Sequence, residues 1–171
     1  MIRFLLNDTE IQLTEAGPGD TLLDSLRLGR GLTGTKEGCA EGDCGACTIL
    51  VSEPDGAGGI RRRAMNSCIL FMPALHGKAV ETVEHLARDG LNPLQEAMVR
   101  HHASQCGFCT PGFVMQLHTA WLNGALGDRQ RDAGDVLNRE IDAGARHVFE
   151  GAHRAFVAVA EAAEQGQGGV L

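Results

Sequence analysis

The chain has 171 residues, 43% hydrophobic and 22% charged, which suits one large globular domain or two small ones. A net charge of −7 with no basic stripe argues against nucleic acid as a partner. No apolar run reaches the roughly 20 residues of a membrane span, and the opening MIRFLLNDTE breaks at Asn7 and Asp8 too early for a signal peptide, so a cytoplasmic setting is expected.

In chain order, residues 1 to about 85 read as a small mixed α/β unit. IRFLL (2–6) and EIQL (10–13) flank the turn signal NDT, a hairpin pattern. DTLLDSLRLGRG (20–31) reads as a helix, with Asp20 or Thr21 as cap, Leu22, Leu23 and Leu26 on one face, and Gly29 or Gly31 at its end. CTILVSE (47–53) is a strand, PDGAGG (54–59) a turn, and IRRRAMNSCILFM (60–72) a returning strand. Its basic run Arg61–Arg63 fits a solvated edge strand. AVETV (79–83) is a last short strand.

After HLARDGLN (85–92) the segments turn helical, so the boundary is placed near residue 85, with a second domain over 86–165. NPLQEAMVRHH carries Pro93 near a helix start, where a missing N–H costs nothing. TPGFVMQLHTAWLNG has Thr110 as cap, Pro111 next and Gly124 at the end. DAGDVLNREIDAGARHVFEGAHRAFVAVAEAAE supplies one or two more helices.

Six cysteines in a reducing compartment need a reason other than disulfides, and metal binding is the leading one. Cys39, Cys44 and Cys47 follow C-x4-C-x2-C, and Cys68 comes after twenty intervening residues. That is the plant-type ligand spacing of a 2Fe–2S cluster. Three thiolates from one loop require the chain to wrap tightly, and Gly38, Gly42 and Gly45 permit it. Cys68, on a strand-like segment, completes the set. The competing readings are a zinc site, which prefers paired C-x2-C knuckles, and buried structural thiols. Asp43 and Glu37 beside the loop read as solvated charges rather than catalytic acids. Cys106 and Cys109 form a C-x-x-C, which alone fits a redox dithiol, half a zinc site or half a cluster site.

TGTKEGCAEGDCGACTILV (33–51), NSCILFMPALHGKAVETVE (66–84) and PLQEAMVRHHASQCGFCTPGFVMQL (93–117) together resemble the iron–sulfur subunits of molybdenum hydroxylases, in their xanthine dehydrogenase branch. The resemblance runs through about the first 120 residues. It implies an α+β chain: an N-terminal 2Fe–2S ferredoxin-like β-grasp domain, then an all-α helical-bundle domain with a second cluster. It implies electrons passing from a molybdopterin-binding large subunit through both clusters to FAD, which here sits on another chain or domain. Gln105 is then expected to contact the pterin; the plainer reading is an ordinary polar loop residue. The resemblance makes a purine the first substrate to consider.

One part departs from the pattern. The family draws two further ligands from a later Cys-x-Cys motif, and this chain has no cysteine after 109. The best local fit, GARHVFEGA (144–152), puts His147 and Phe149 at those positions. Imidazole can replace thiolate in such a centre; phenylalanine cannot. Three readings stand: a lost or labile second cluster, which is favoured; an unusual ligand set using His147 or His118; or an altered, defective C-terminal segment. His101 and His102 suit a helix C-terminus better than a metal. The function expected is therefore an electron-transfer subunit without its own substrate site. The alternatives are a docking subunit that keeps only the first cluster, and a zinc-binding structural protein.

Overall fold

The computed structural model describes residues 1–124. Strands β1 (Ile2–Leu6), β2 (Thr9–Leu13), β3 (Thr48–Pro54), β4 (Ile60–Asn66) and β5 (Ala79–Glu81) form one sheet in the order β2-β1-β5-β3-β4. β1 and β5 run parallel at its centre, and the other pairs are antiparallel. The hairpin β1–β2 is closed by Asn7 (φ 50°) and Asp8 (φ 66°). Both residues tolerate the left-handed region, and a two-residue turn of that kind matches the twist of the strands it joins.

α1 covers one face of the sheet. It begins as α-helix at Leu22–Asp24 and continues as a π-helical stretch over Ser25–Gly29. The Thr21 side chain accepts the Asp24 N–H at 3.1 Å, which satisfies one open donor of the first turn. Gly31 ends the segment at φ +68°. Leu22 and Leu26 pack with Phe4, Leu6, Ile49, Val51, Leu70, Met72, Leu75 and Val80 as the main core. Fully burying a leucine of this kind stabilises the fold by about 1.5–3 kcal/mol.

β3 is buried along Thr48–Val51, on both faces, which explains its unbroken apolar run. β4 lies at a sheet edge, as its arginines suggest. Arg61 and Arg63 approach Glu53 of β3 at 3.9 and 4.0 Å, and Lys78 meets the same carboxylate at 3.1 Å. One expectation is corrected here. The strand does not continue to 72: it stops at Asn66, and Cys68 sits in a single 3-10 turn over Ser67–Ile69.

The described residues resolve into two compact units, one made of Met1–Asp89 with Phe108–Thr119, the other containing Gly90–Gly107 and residues 120–124. In the second, α2 (Pro93–Arg100) opens with a full capping box. The Asn92 side chain accepts from Gln95 N–H at 2.9 Å, and the Gln95 side chain accepts from Asn92 N–H at 3.0 Å. α3 spans Thr110–Leu122 and buries Val114, Met115, Leu117 and His118. The helices expected beyond residue 124 lie outside the described residues. Among the described residues no helix is long and apolar enough to cross a membrane.

Candidate metal centre

The segment between α1 and β3 has no room for larger residues at its tightest point. A Cβ on Gly38 would lie 2.7 Å from Cys44 Sγ. Ala40 (φ 58°), Gly42 (φ +83°) and Gly45 (φ +71°) each take the left-handed region, so the loop coils on itself. The coil turns backbone donors inward. Cys39 Sγ accepts N–H groups of Cys44 at 3.3 Å and Asp43 at 3.4 Å. These contacts favour thiolate: the N–H of Cys44 first, then those of Glu41 and Asp43, bring the Cys39 thiol down to about 7.

Cys47 and Cys68 form the opposite side. They are 2% and 7% exposed and cluster with Leu23. Burial, followed by the hydrogen bond and charge of Cys47, pushes the Cys68 thiol up to about 11. A thiol held this way resists carrying charge unless a metal compensates it, and a coordinated thiol is deprotonated outright.

The four cysteines are thus brought together as two pairs, Cys39 with Cys44 and Cys47 with Cys68. Among the described residues no three His, Cys, Asp or Glu side chains converge on a single metal ion. The charge of Cys39 also reaches Cys68, so the four thiols share one locale and supply the four-thiolate donor set that a 2Fe–2S group takes. The donor set and the crowded glycine loop therefore fit a 2Fe–2S group.

Side chains outside the cysteine pattern hold the loop. Ser67 donates its N–H and hydroxyl to the Cys47 carbonyl at 3.2 and 2.8 Å. Asn66 Nδ2 donates to the Gly42 carbonyl, and Asn66 Oδ1 lies 3.2 Å from Thr48 Oγ1. Thr48 donates its N–H and hydroxyl to the Gly45 carbonyl at 3.1 and 2.7 Å. In the sequence, nearness to Cys47 and Cys68 is the one signal of Ser67, Asn66 and Thr48. Asp43 and Glu37 are exposed, in keeping with solvated charges.

Cys106 and Cys109 are both exposed free thiols, and Gln105 is exposed as well. The Cys109 carbonyl accepts the N–H of Phe113 at 3.1 Å, at the start of α3. His118 lies about 12 Å of helix rise beyond Thr110 and is 5% exposed, so it is not set beside Cys109 as a replacement ligand. His147 lies outside the described residues.

Two family models match the chain. One described as a 2Fe-2S iron-sulfur cluster binding domain covers residues 4–72, and one described as a [2Fe-2S] binding domain covers 82–145. The xanthine dehydrogenase of Drosophila pseudoobscura pseudoobscura is 46% identical over 132 residues, covering 75% of this chain and 10% of that protein. Xanthine dehydrogenase/oxidase of Rattus norvegicus is 44% identical over 122 residues, covering 70% of this chain and 9% of its own. The chain spans about a tenth of the length of these curated relatives. Among solved structures, quinoline 2-oxidoreductase from Pseudomonas putida is similar at 34% identity and TM-score 0.72, with 96% of each chain covered. Aldehyde oxidoreductase from Desulfovibrio desulfuricans is similar at 32% identity and TM-score 0.72, covering 92% of this chain and 17% of that one.

Proposed function

The chain belongs to the iron–sulfur subunits and modules of the molybdenum hydroxylase family, and from that premise we propose that it relays electrons from a molybdopterin-binding subunit toward FAD on another chain or domain. The observation that carries this reading is that a glycine-tight loop gathers Cys39, Cys44 and Cys47 in a ferredoxin-like fold and that Cys68 arrives from the turn after β4 against Cys47. A bound 2Fe–2S centre supplies one-electron transfer, at roughly −400 mV for the plant type.

The protein's own contribution is to hold and tune. Cys39, Cys44, Cys47 and Cys68 are the proposed ligands. Backbone N–H groups on Cys39 Sγ stabilise negative charge there, which opposes the accumulation of a further electron less than a bare apolar pocket does. Cys47 and Cys68 sit in the dry side, while Cys39 and Cys44 face the more open side. The centre is thereby asymmetric in solvation, a lever on where the electron resides.

Cys106 and Cys109 are proposed as ligands in a helical second domain over 86–165, with Gln105 toward the pterin. Six cysteines less four leave two within the 171 residues, so a second centre with four thiolates from this segment is not available. The two-domain division, a xanthine dehydrogenase-like activity of the complex and a cytoplasmic location belong to the same proposal; six free thiols suit a reducing compartment.

The test is Cys44→Ala in the full chain, purified without oxygen. The visible charge-transfer spectrum of the first centre should vanish. A spectrum unchanged in that variant would sink the assignment.

A further inference from the structure

We infer that Gly112 is a positioning residue for the first centre: the first turn of α3 is seated on the backbone of the cysteine loop at Gly45–Ala46, so closely that only glycine fits, and this seat sets how the loop faces the metal. The inference rests on the reading that Cys39, Cys44, Cys47 and Cys68 hold a cluster.

Glycine is a poor choice at this point of a helix on local grounds. It is a weaker helix former than alanine, and its φ is not in the left-handed region, so conformational freedom does not explain it. Space does. A Cβ on Gly112 would stand 2.1 Å from the Gly45 carbonyl oxygen, 3.1 Å from its carbon and 3.2 Å from the Ala46 carbonyl carbon. All three are backbone atoms, so no rotamer relieves the contact. An ordinary carbon–oxygen approach would need helix and loop to part by about 1 Å.

The Gly45 carbonyl is held from its own loop as well. Thr48 donates to it twice, at 3.1 Å from N–H and 2.7 Å from the hydroxyl. The oxygen is therefore fixed between Thr48 and the face of α3. In a planar trans peptide, fixing that C=O fixes the Ala46 N–H in the opposite direction. That N–H lies between ligands Cys44 and Cys47, where the direction of backbone dipoles helps set the reduction potential. Moving α3 by the width of one methyl group rotates this peptide without touching any cysteine. The seat belongs to the same stretch as Cys109, three residues earlier, so the second cysteine motif carries a structural element of the first centre.

The experiment compares the full-length wild type, Gly112→Ala and Gly29→Ala, each reconstituted anaerobically. Gly29 is the control, because a Cβ there meets nothing within 4 Å. The readouts are iron and sulfide content, the g-values of the signal that Cys44→Ala removes, and its midpoint potential. Gly112→Ala should shift the g-values and the potential, or lose iron with its far-ultraviolet circular dichroism intact, while Gly29→Ala matches wild type. Full iron with g-values and potential superimposed on wild type would overturn the inference. Should Gly112→Ala fail to fold, Thr48→Val removes a donor from the same carbonyl and must shift the same two readouts; no shift overturns the inference. A wild type that takes up no iron overturns the cluster reading itself, a separate outcome from a loaded wild type with a silent Gly112→Ala.

Discussion

Ser67 grips the Cys47 carbonyl twice, with its hydroxyl at 2.8 Å and its N–H at 3.2 Å, from twenty positions along the chain. This contact ends β4 and turns the chain so that Cys68 arrives beside Cys47. Ser67 is fully buried, so its hydroxyl has no water to fall back on. Ser67→Ala should lower stability by about 1 kcal/mol and speed iron loss to a chelator. Urea unfolding and chelation kinetics check this, and unchanged chelation would separate Ser67 from the centre.

Gly38 gives a sharper contrast between loaded and empty protein. A Cβ there would stand 2.7 Å from Cys44 Sγ. A free thiol can rotate away, whereas a ligating one cannot. Gly38→Ala should leave the metal-free fold within about 0.5 kcal/mol of wild type, yet cut iron uptake severalfold. Equal iron content in the two proteins contradicts the proposed direction of Cys44.

α2 depends on its cap. Replacing Asn92 by Ala removes the side-chain acceptor for Gln95 N–H, with an expected loss of about 1 kcal/mol in the stability of that unit. Amide exchange over Pro93–Arg100 should quicken, while exchange in β1 and β3 stays near wild type. A uniform acceleration across both units would show that they unfold together.

His118 links stability to pH. Burial first, and then the charge of His85, hold its imidazole below the usual 6.5. His85 itself lies 3.4 Å from Asp8, which also pairs with Arg88. The unfolded chain thus takes up a proton at His118 before the folded one does. The stability contributed by neutral His118 is full above about pH 6.5 and declines as pH falls below it. His118→Gln should flatten the pH dependence of the urea midpoint below 6.5. A slope identical to wild type removes His118 as its source.

Much of this was legible locally. The β1–β2 turn announced itself because Asn and Asp tolerate positive φ, and α2 because Asn92, Pro93 and Gln95 form a cap. The C-x4-C-x2-C spacing pointed to the loop that the fold does coil. The end of β4 was not legible. Apolar residues continue past Asn66 to Met72, and what stops the strand is Ser67 bonding to a residue twenty positions away. The parallel pairing of β1 with β5 depends on a contact some seventy residues apart, which no short window contains. Gly112 looked like part of a helix start; its reason lies in the backbone of Gly45.

The most direct test is iron and acid-labile sulfide per chain on anaerobically purified protein, with EPR after dithionite reduction. Wild type should carry at least about two irons and two sulfides per chain, with a reduced signal that Cys44→Ala abolishes. A colourless chain holding one zinc, or neither metal, would contradict it.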